Sequence, residues 1–135
     1  MKVVLIVVGK TTDKHLIHLI NEYVERIGHY LPFDLEVIPE LKNTKSLTAD
    51  QQKERDGDWV VLLDEAGRQF RSIEFASYIE KKHTQAARRL VFIIGGPYGF
   101  SSAIYALAKE KISLSQMTFS HQMVRLFFVE QLYRA

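Results

Sequence analysis

Residues 3–8, VVLIVV, make an unbroken aliphatic run near the start of the chain. A strand with one wet face alternates apolar and polar residues; a run without alternation suits a strand buried on both faces, as in the middle of a parallel sheet. Parallel neighbours need crossover connections, commonly helical, and the rest of the sequence supplies them. Leu16, Leu19, Ile20, Tyr23, Val24 and Ile27 recur at helical spacing over 13–27, with Gly28 at the helix end. Between Pro32 and Pro39, Phe33, Leu35 and Val37 alternate with Asp34 and Glu36, which predicts a strand near a sheet edge. Residues 40–58 are polar, and Thr48-Ala49-Asp50-Gln51 resembles a capping box opening a short helix in a lid-like stretch.

Further along, the pattern predicts a buried strand at 59–63, a turn at Asp64–Gly67, a helix at 72–83 and a strand at 90–94. A helix at 101–109, a strand at 112–114 and a last helix at 120–134 follow. Alternating strands and helices define an α/β domain, a mainly parallel sheet with helices on both faces. With 135 residues and no Pro/Gly/Ser linker, the chain reads as one domain, 1–135. It has no cysteine, which excludes disulfides, thiol catalysis and thiolate-held metals and fits a reducing cytoplasm. The run at 3–8 is far short of the ~20 residues that span a bilayer and lacks a cleavage site after it, so neither membrane span nor signal peptide is expected. The histidines are scattered without ligand spacing, so no metal is expected.

Ligands of such sheets sit beyond the carboxyl ends of the strands, here residues 9–13, 63–67, 95–100 and 114–120. Gly9-Lys10-Thr11-Thr12 ends like a P-loop, but Val4 stands where that motif needs its first glycine. Gly95-Gly96-Pro97-Tyr98-Gly99 follows a buried strand; two glycines let a ligand approach the backbone and the proline stiffens the turn. An unliganded tight turn is the alternative. Leu114-Ser115-Gln116-Met117-Thr118-Phe119 offers polar groups between a strand and a very apolar helix, or is an ordinary connection with Ser120 as N-cap. The last helix is apolar nearly all round, which points to burial or a subunit contact. Arg125 lies in its first turns, where the helix dipole disfavours a cation; it is either functional or paired with a carboxylate such as Glu130 or one from a neighbouring subunit. His121 is either a base or a structural histidine. Net charge is only +2, so any nucleic-acid contact needs a local patch, such as Lys81, Lys82, His83, Arg88 and Arg89, unless these form a solvated helix end.

The ordered set Val60-Val61-Leu62-Leu63-Asp64, Ile94-Gly95-Gly96-Pro97-Tyr98-Gly99, Leu114 to Arg125 and Glu130-Gln131-Leu132-Tyr133-Arg134-Ala135 resembles the RlmH (YbeA) family, as does Met1-Lys2…Val8-Gly9-Lys10. The resemblance covers essentially the whole chain. It implies a SPOUT-type fold with a C-terminal trefoil knot, and a homodimer. It also implies S-adenosylmethionine-dependent methylation of N3 of a pseudouridine in large-subunit ribosomal RNA, on the assembled ribosome. Carried over by motif, the cofactor contacts are Leu63, Gly95, Gly96, Leu114, Ser115, Gln116, Met117, Thr118 and Phe119. A cation such as Arg125 would stabilise the base as it becomes anionic on losing its N3 proton. Family members usually run past the Tyr133-Arg134-Ala135 stretch to a Tyr-His pair near the active site, and carry proline where Ser120 stands. A non-catalytic ribosome-associated module using Lys81, Lys82, Arg88 and Arg89, or a flavodoxin-like nucleotide or flavin binder, are the competing readings.

Overall fold

The computed structural model describes residues 2–38, 58–85, 88–95, 105, 108–114 and 121–134. In chain order the elements are β1 (Lys2–Val8), α1 (Lys14–Gly28), β2 (Phe33–Ile38), β3 (Asp58–Gln69), α2 (Ser72–Thr84), β4 (Arg89–Ile94), β5 (Glu110–Ser113) and α3 (His121–Arg134). The strands form one five-stranded sheet in the order β2-β1-β4-β3-β5, every pairing parallel. The unbroken run at 3–8 lies inside this sheet between β2 and β4, and Val3 to Val7 are at most 1% exposed. The alternating strand β2 lies at the sheet edge, as its polar positions require.

One sheet face carries Val3, Leu5, Val7, Val61, Leu90, Phe92, Ile94 and Ile112, packed against Ile27 of α1, Phe75 and Ile79 of α2 and Phe128, Val129 and Leu132 of α3. Phe92 and Phe128 meet with ring centroids 4.7 Å apart, a tilted aromatic contact that adds to the area buried. The other face carries Val4, Ile6, Val60, Leu62, Val91 and Ile93, equally buried. The described helices all lie on the first face.

Helix starts follow local chemistry. The Asp13 carboxylate accepts hydrogen bonds from the backbone N–H groups of His15 (2.8 Å) and Leu16 (3.1 Å), capping α1. At α2 the Glu74 carboxylate reaches back to the Arg71 N–H at 2.9 Å.

Two expectations need correction. The turn expected at Asp64–Gly67 does not end the strand: β3 runs on to Gln69, and both Leu63 and Arg68 face Ile112 of β5. The intervening residues leave the ladder and return to the same partner. The strand can return because Gly67 has no side chain; a Cβ there would lie 2.6 Å from the Ile112 nitrogen. The strand expected at 112–114 is instead Glu110–Ser113, because Glu110 and Lys111 pair with Val61 and Leu62. The helix start at Thr48–Gln51 lies outside the described residues. So does most of the helix expected at 101–109, of which Tyr105 is helical and Lys109 is not. The connections that would carry the trefoil knot, 96–104 and 115–120, lie outside them as well.

Candidate active site

Three of the sequence-selected segments meet at one end of the sheet. Leu63 pairs with Ile94 on one side and Ile112 on the other, so the carboxyl ends of β4 and β5 lie level with Leu63, the last residue before β3 leaves the ladder. Gly95 directly follows Ile94 and Leu114 follows Ser113; Leu63, Gly95 and Leu114 are each half-buried. Gly96 and Ser115 to Phe119 lie outside the described residues. A cavity of about 330 Å³ opens beside Leu114, walled by Phe70, Phe75, Ile112 and Phe127. At its side the Ser72 hydroxyl donates to Gln131 Oε1 at 2.7 Å, fastening α2 to α3.

Arg125 is the largest fully buried side chain among the described residues, 1% exposed. It donates from one terminal nitrogen to the Val8 carbonyl at 2.6 Å and from the other to Thr11 Oγ1 at 2.9 Å. Its Nε has no hydrogen-bond partner among the described residues. The carboxylate suggested as its partner, Glu130, is engaged by Arg134 at 2.9 Å. Burial lowers the Arg125 pKa, yet an arginine keeps its proton in any protein environment. A positive charge is therefore held at the carboxyl end of β1 without a carboxylate facing it among the described residues. One helical turn earlier, Gln122 accepts from the Thr12 N–H at 3.1 Å and donates to the Lys10 carbonyl at 3.3 Å.

A further pair was not singled out by sequence. Asp64 follows Leu63 at the end of the buried part of β3, and the Tyr105 hydroxyl donates to Asp64 Oδ2 at 2.7 Å. This bond ties the connection that starts at Gly95 back to the neighbouring strand end. The bond to Asp64, with burial and the carboxylate charge, pushes the Tyr105 phenol up to about 12. The legible signal was the aspartate itself, the first charged residue after VVLL.

The basic patch does not survive as a unit. Lys82 is only 8% exposed, pairs with Glu110 at 3.0 Å and lies over the Trp59 ring at 3.9 Å. Glu110 also accepts from Trp59 Nε1 (3.0 Å) and the Tyr78 hydroxyl (3.1 Å). This cluster sits at the amino end of β3, away from the site, and locks α2 to the sheet edge. Among the described residues no group of three metal-ligating side chains gathers, and no helix is long and apolar enough to cross a membrane.

A buried parallel sheet with level strand ends, glycine at one of them and a cation nearby is the arrangement of a small-molecule-binding α/β enzyme. The family model described as "Predicted SPOUT methyltransferase" matches residues 1–135. The chain belongs to the SPOUT methyltransferase family, and it is an α/β methyltransferase. Relatives over its full length carry the name ribosomal RNA large subunit methyltransferase H. The one from Phocaeicola vulgatus is 62% identical over 145 aligned positions, covering 100% of this chain and 92% of the relative. The Bacteroides fragilis relative is 61% identical with the same coverage, and that of Flavobacterium johnsoniae 51% identical, covering 99% and 92%.

Proposed function

We propose that this methyltransferase modifies N3 of a pseudouridine in large-subunit ribosomal RNA, on assembled ribosomes in the bacterial cytoplasm, with S-adenosylmethionine as methyl donor. The full-length likeness to proteins named for large-subunit ribosomal RNA methylation supports the substrate class. The register that sets Leu63 level with the ends of β4 and β5, where Gly95 and Leu114 follow, is the observation that supports the donor site.

These residues fit the donor. Half-buried aliphatic side chains at Leu63 and Leu114 offer a surface for a flat heterocycle. Half-buried Gly95 has no side chain to keep a ligand from its backbone, and the sequence carries hydroxyl and amide groups at Ser115, Gln116 and Thr118. Bound there, S-adenosylmethionine supplies a methyl group on a positively charged sulfur, already activated for attack. The chain's own residues then have two tasks, placement and charge. Holding the nucleobase in line with the methyl group converts an encounter into an oriented step. N3 of the base must lose its proton to become nucleophilic, and the Arg125 cation favours that anionic form through a low-dielectric interior. The proton released from N3 passes to solvent water. The active species is a homodimer joined through the last helix, which keeps apolar side chains on sides that one copy leaves half-buried.

Two measurements test the proposal. Titration calorimetry should show saturable binding of S-adenosylmethionine that Gly96→Val abolishes by filling the space beside the turn. Mass-spectrometric mapping of ribosomal RNA from a deletion strain should lose one methylated pseudouridine, restored by the wild-type gene. An unchanged modification pattern rejects the substrate; a yellow purified protein that binds flavin rejects the donor.

A further inference from the structure

We propose that the β1–α1 loop, Gly9 to Thr12, is a contact for an RNA phosphate, made by Lys10, and that Gln122 and Arg125 hold this loop against the donor site. The inference rests on the ribosomal-RNA reading above and deepens it.

The sheet order places the loop. β1 and β4 are neighbours, but the chain leaves β1 towards β2 on one side and leaves β4 towards β5 on the other. Connections that part in opposite directions leave a crevice at the carboxyl ends, the usual ligand position in such sheets. Val7 pairs with Ile94, so the residues that follow, Val8-Gly9 and Gly95, form the two lips of that crevice, separated by about one strand spacing of ~4.8 Å. The glycine-lysine-threonine stretch therefore flanks the donor turn.

The loop is fixed without using the Lys10 side chain. Gly9 takes a φ of 77°, in the left-handed region that glycine tolerates, and its N–H donates to the Ile38 carbonyl at 2.7 Å. The Lys10 carbonyl and Thr12 N–H are held by Gln122, and Val8 and Thr11 by Arg125. These two α3 residues follow closely on the segment assigned to the donor, so one short stretch of chain holds the β1 lip and adjoins the proposed donor contacts. Lys10 itself is exposed and makes no ion pair among the described residues.

The local charge is positive. Arg125 is buried without a facing carboxylate among the described residues, and Lys10 on the loop and Lys14 at the start of α1 are exposed. The nearby carboxylate, Asp13, is turned into the first turn of α1. Such a rim attracts an anion, and a polyanion crossing the crevice to reach the donor supplies one at each nucleotide. A nucleoside triphosphate suits it less well, because Val4 occupies the position of the first P-loop glycine.

The test compares the full-length wild type with Lys10→Ala, Lys10→Arg and Gln122→Ala in methyl transfer to isolated ribosomes over a range of salt. Donor binding is followed in parallel by calorimetry. Lys10→Ala should raise the KM for ribosomes, keep kcat within about twofold, and lower the slope of log KM against log salt by about 0.7–0.9, one phosphate contact. Between about 50 and 200 mM salt the wild-type KM should thus rise about threefold more than that of the variant. Lys10→Arg should restore the slope, Gln122→Ala should raise KM in the same direction, and all should bind the donor as the wild type does. Unchanged KM and slope in Lys10→Ala, with a wild type that methylates ribosomes, overturns this inference alone. A weakened donor affinity in Lys10→Ala overturns it too, by assigning the lysine to the donor's carboxylate. A wild type that leaves ribosomes unmethylated overturns the functional reading, and this inference with it.

Discussion

Arg125 shows how one residue's sequence context and its buried partners answer different questions. Its place in the first turns of an apolar helix, against the dipole by about 0.3–1 kcal/mol, marks it as unusual in sequence. Only the fold reveals that it reaches Val8 and Thr11, more than a hundred positions earlier, and that Glu130 is taken by Arg134. If its charge supports the anionic base, Arg125→Ala should lower single-turnover methylation by about a hundredfold while donor affinity by calorimetry stays nearly unchanged. Arg125→Lys, which keeps the charge but not the two-pronged donation, should fall between. A large affinity loss with intact turnover rejects the role. Tyr105 makes a second residue-scale prediction. Its phenol titrates at about 12 when folded against an ordinary value of 10. The folded state therefore keeps a proton that the unfolded chain has released, and stability from this bond, full below pH 10, is lost as pH rises towards 12. Thermal melts across that window should show a shallower decline for Tyr105→Phe than for the wild type; equal slopes would remove Tyr105 as the cause.

At the scale of elements, strands with a continuous apolar signal were legible and the irregular ones were not. VVLIVV and LVFII each gave a strand within a residue of its bounds, and WVVLL gave the start of one that runs six residues further, because burial on both faces leaves an unambiguous run. The looped return of β3 left no such mark: Asp64–Gly67 read as a turn, and only the approach of β5 to Gly67 explains the path. Gly67→Ala forces that backbone contact apart and should cost about 1–3 kcal/mol of stability in denaturant unfolding; an unperturbed midpoint would mean that β5 shifts freely. Nor could the sequence show that Lys82, in a basic run, lies beneath Trp59. Glu110 joins α2, β3 and β5 through three donors to one oxygen. Burial raises its pKa, but Lys82, Tyr78 and Trp59 outweigh that and hold it below the ordinary carboxylate range. The cluster's contribution is therefore present above the ordinary value and lost as pH falls through the depressed one. Glu110→Gln should cost about 2 kcal/mol at neutral pH and flatten the acid limb of the stability curve. The chain's single tryptophan, Trp59, reports both through its fluorescence.

For the whole molecule, alternating strands and helices foretold a parallel sheet, yet the order β2-β1-β4-β3-β5 was beyond periodicity, which sets faces but not neighbours. The site was legible as a list of strand ends; what joined Leu63, Gly95 and Leu114 was register, and register needs the pairings. The same reasoning extends to assembly. In α3, Arg125, Phe128, Val129 and Leu132 form the stripe buried in one copy, while Met123 and Phe127 lie on the opposite side of the helix and stay half-buried. The homodimer proposed above would use this side of the helix, and a stable dimer needs only about 800 Å² from each partner. If two copies meet there, sedimentation equilibrium should give twice 15.6 kDa for the wild type. Phe127→Glu should give the mass of one chain, with helix content by circular dichroism unchanged, because the substitution spares the stripe that packs on the sheet. A wild type that sediments as a single chain refutes the dimer. A Phe127→Glu protein that stays paired and folded moves the contact off this side of α3 and onto another surface.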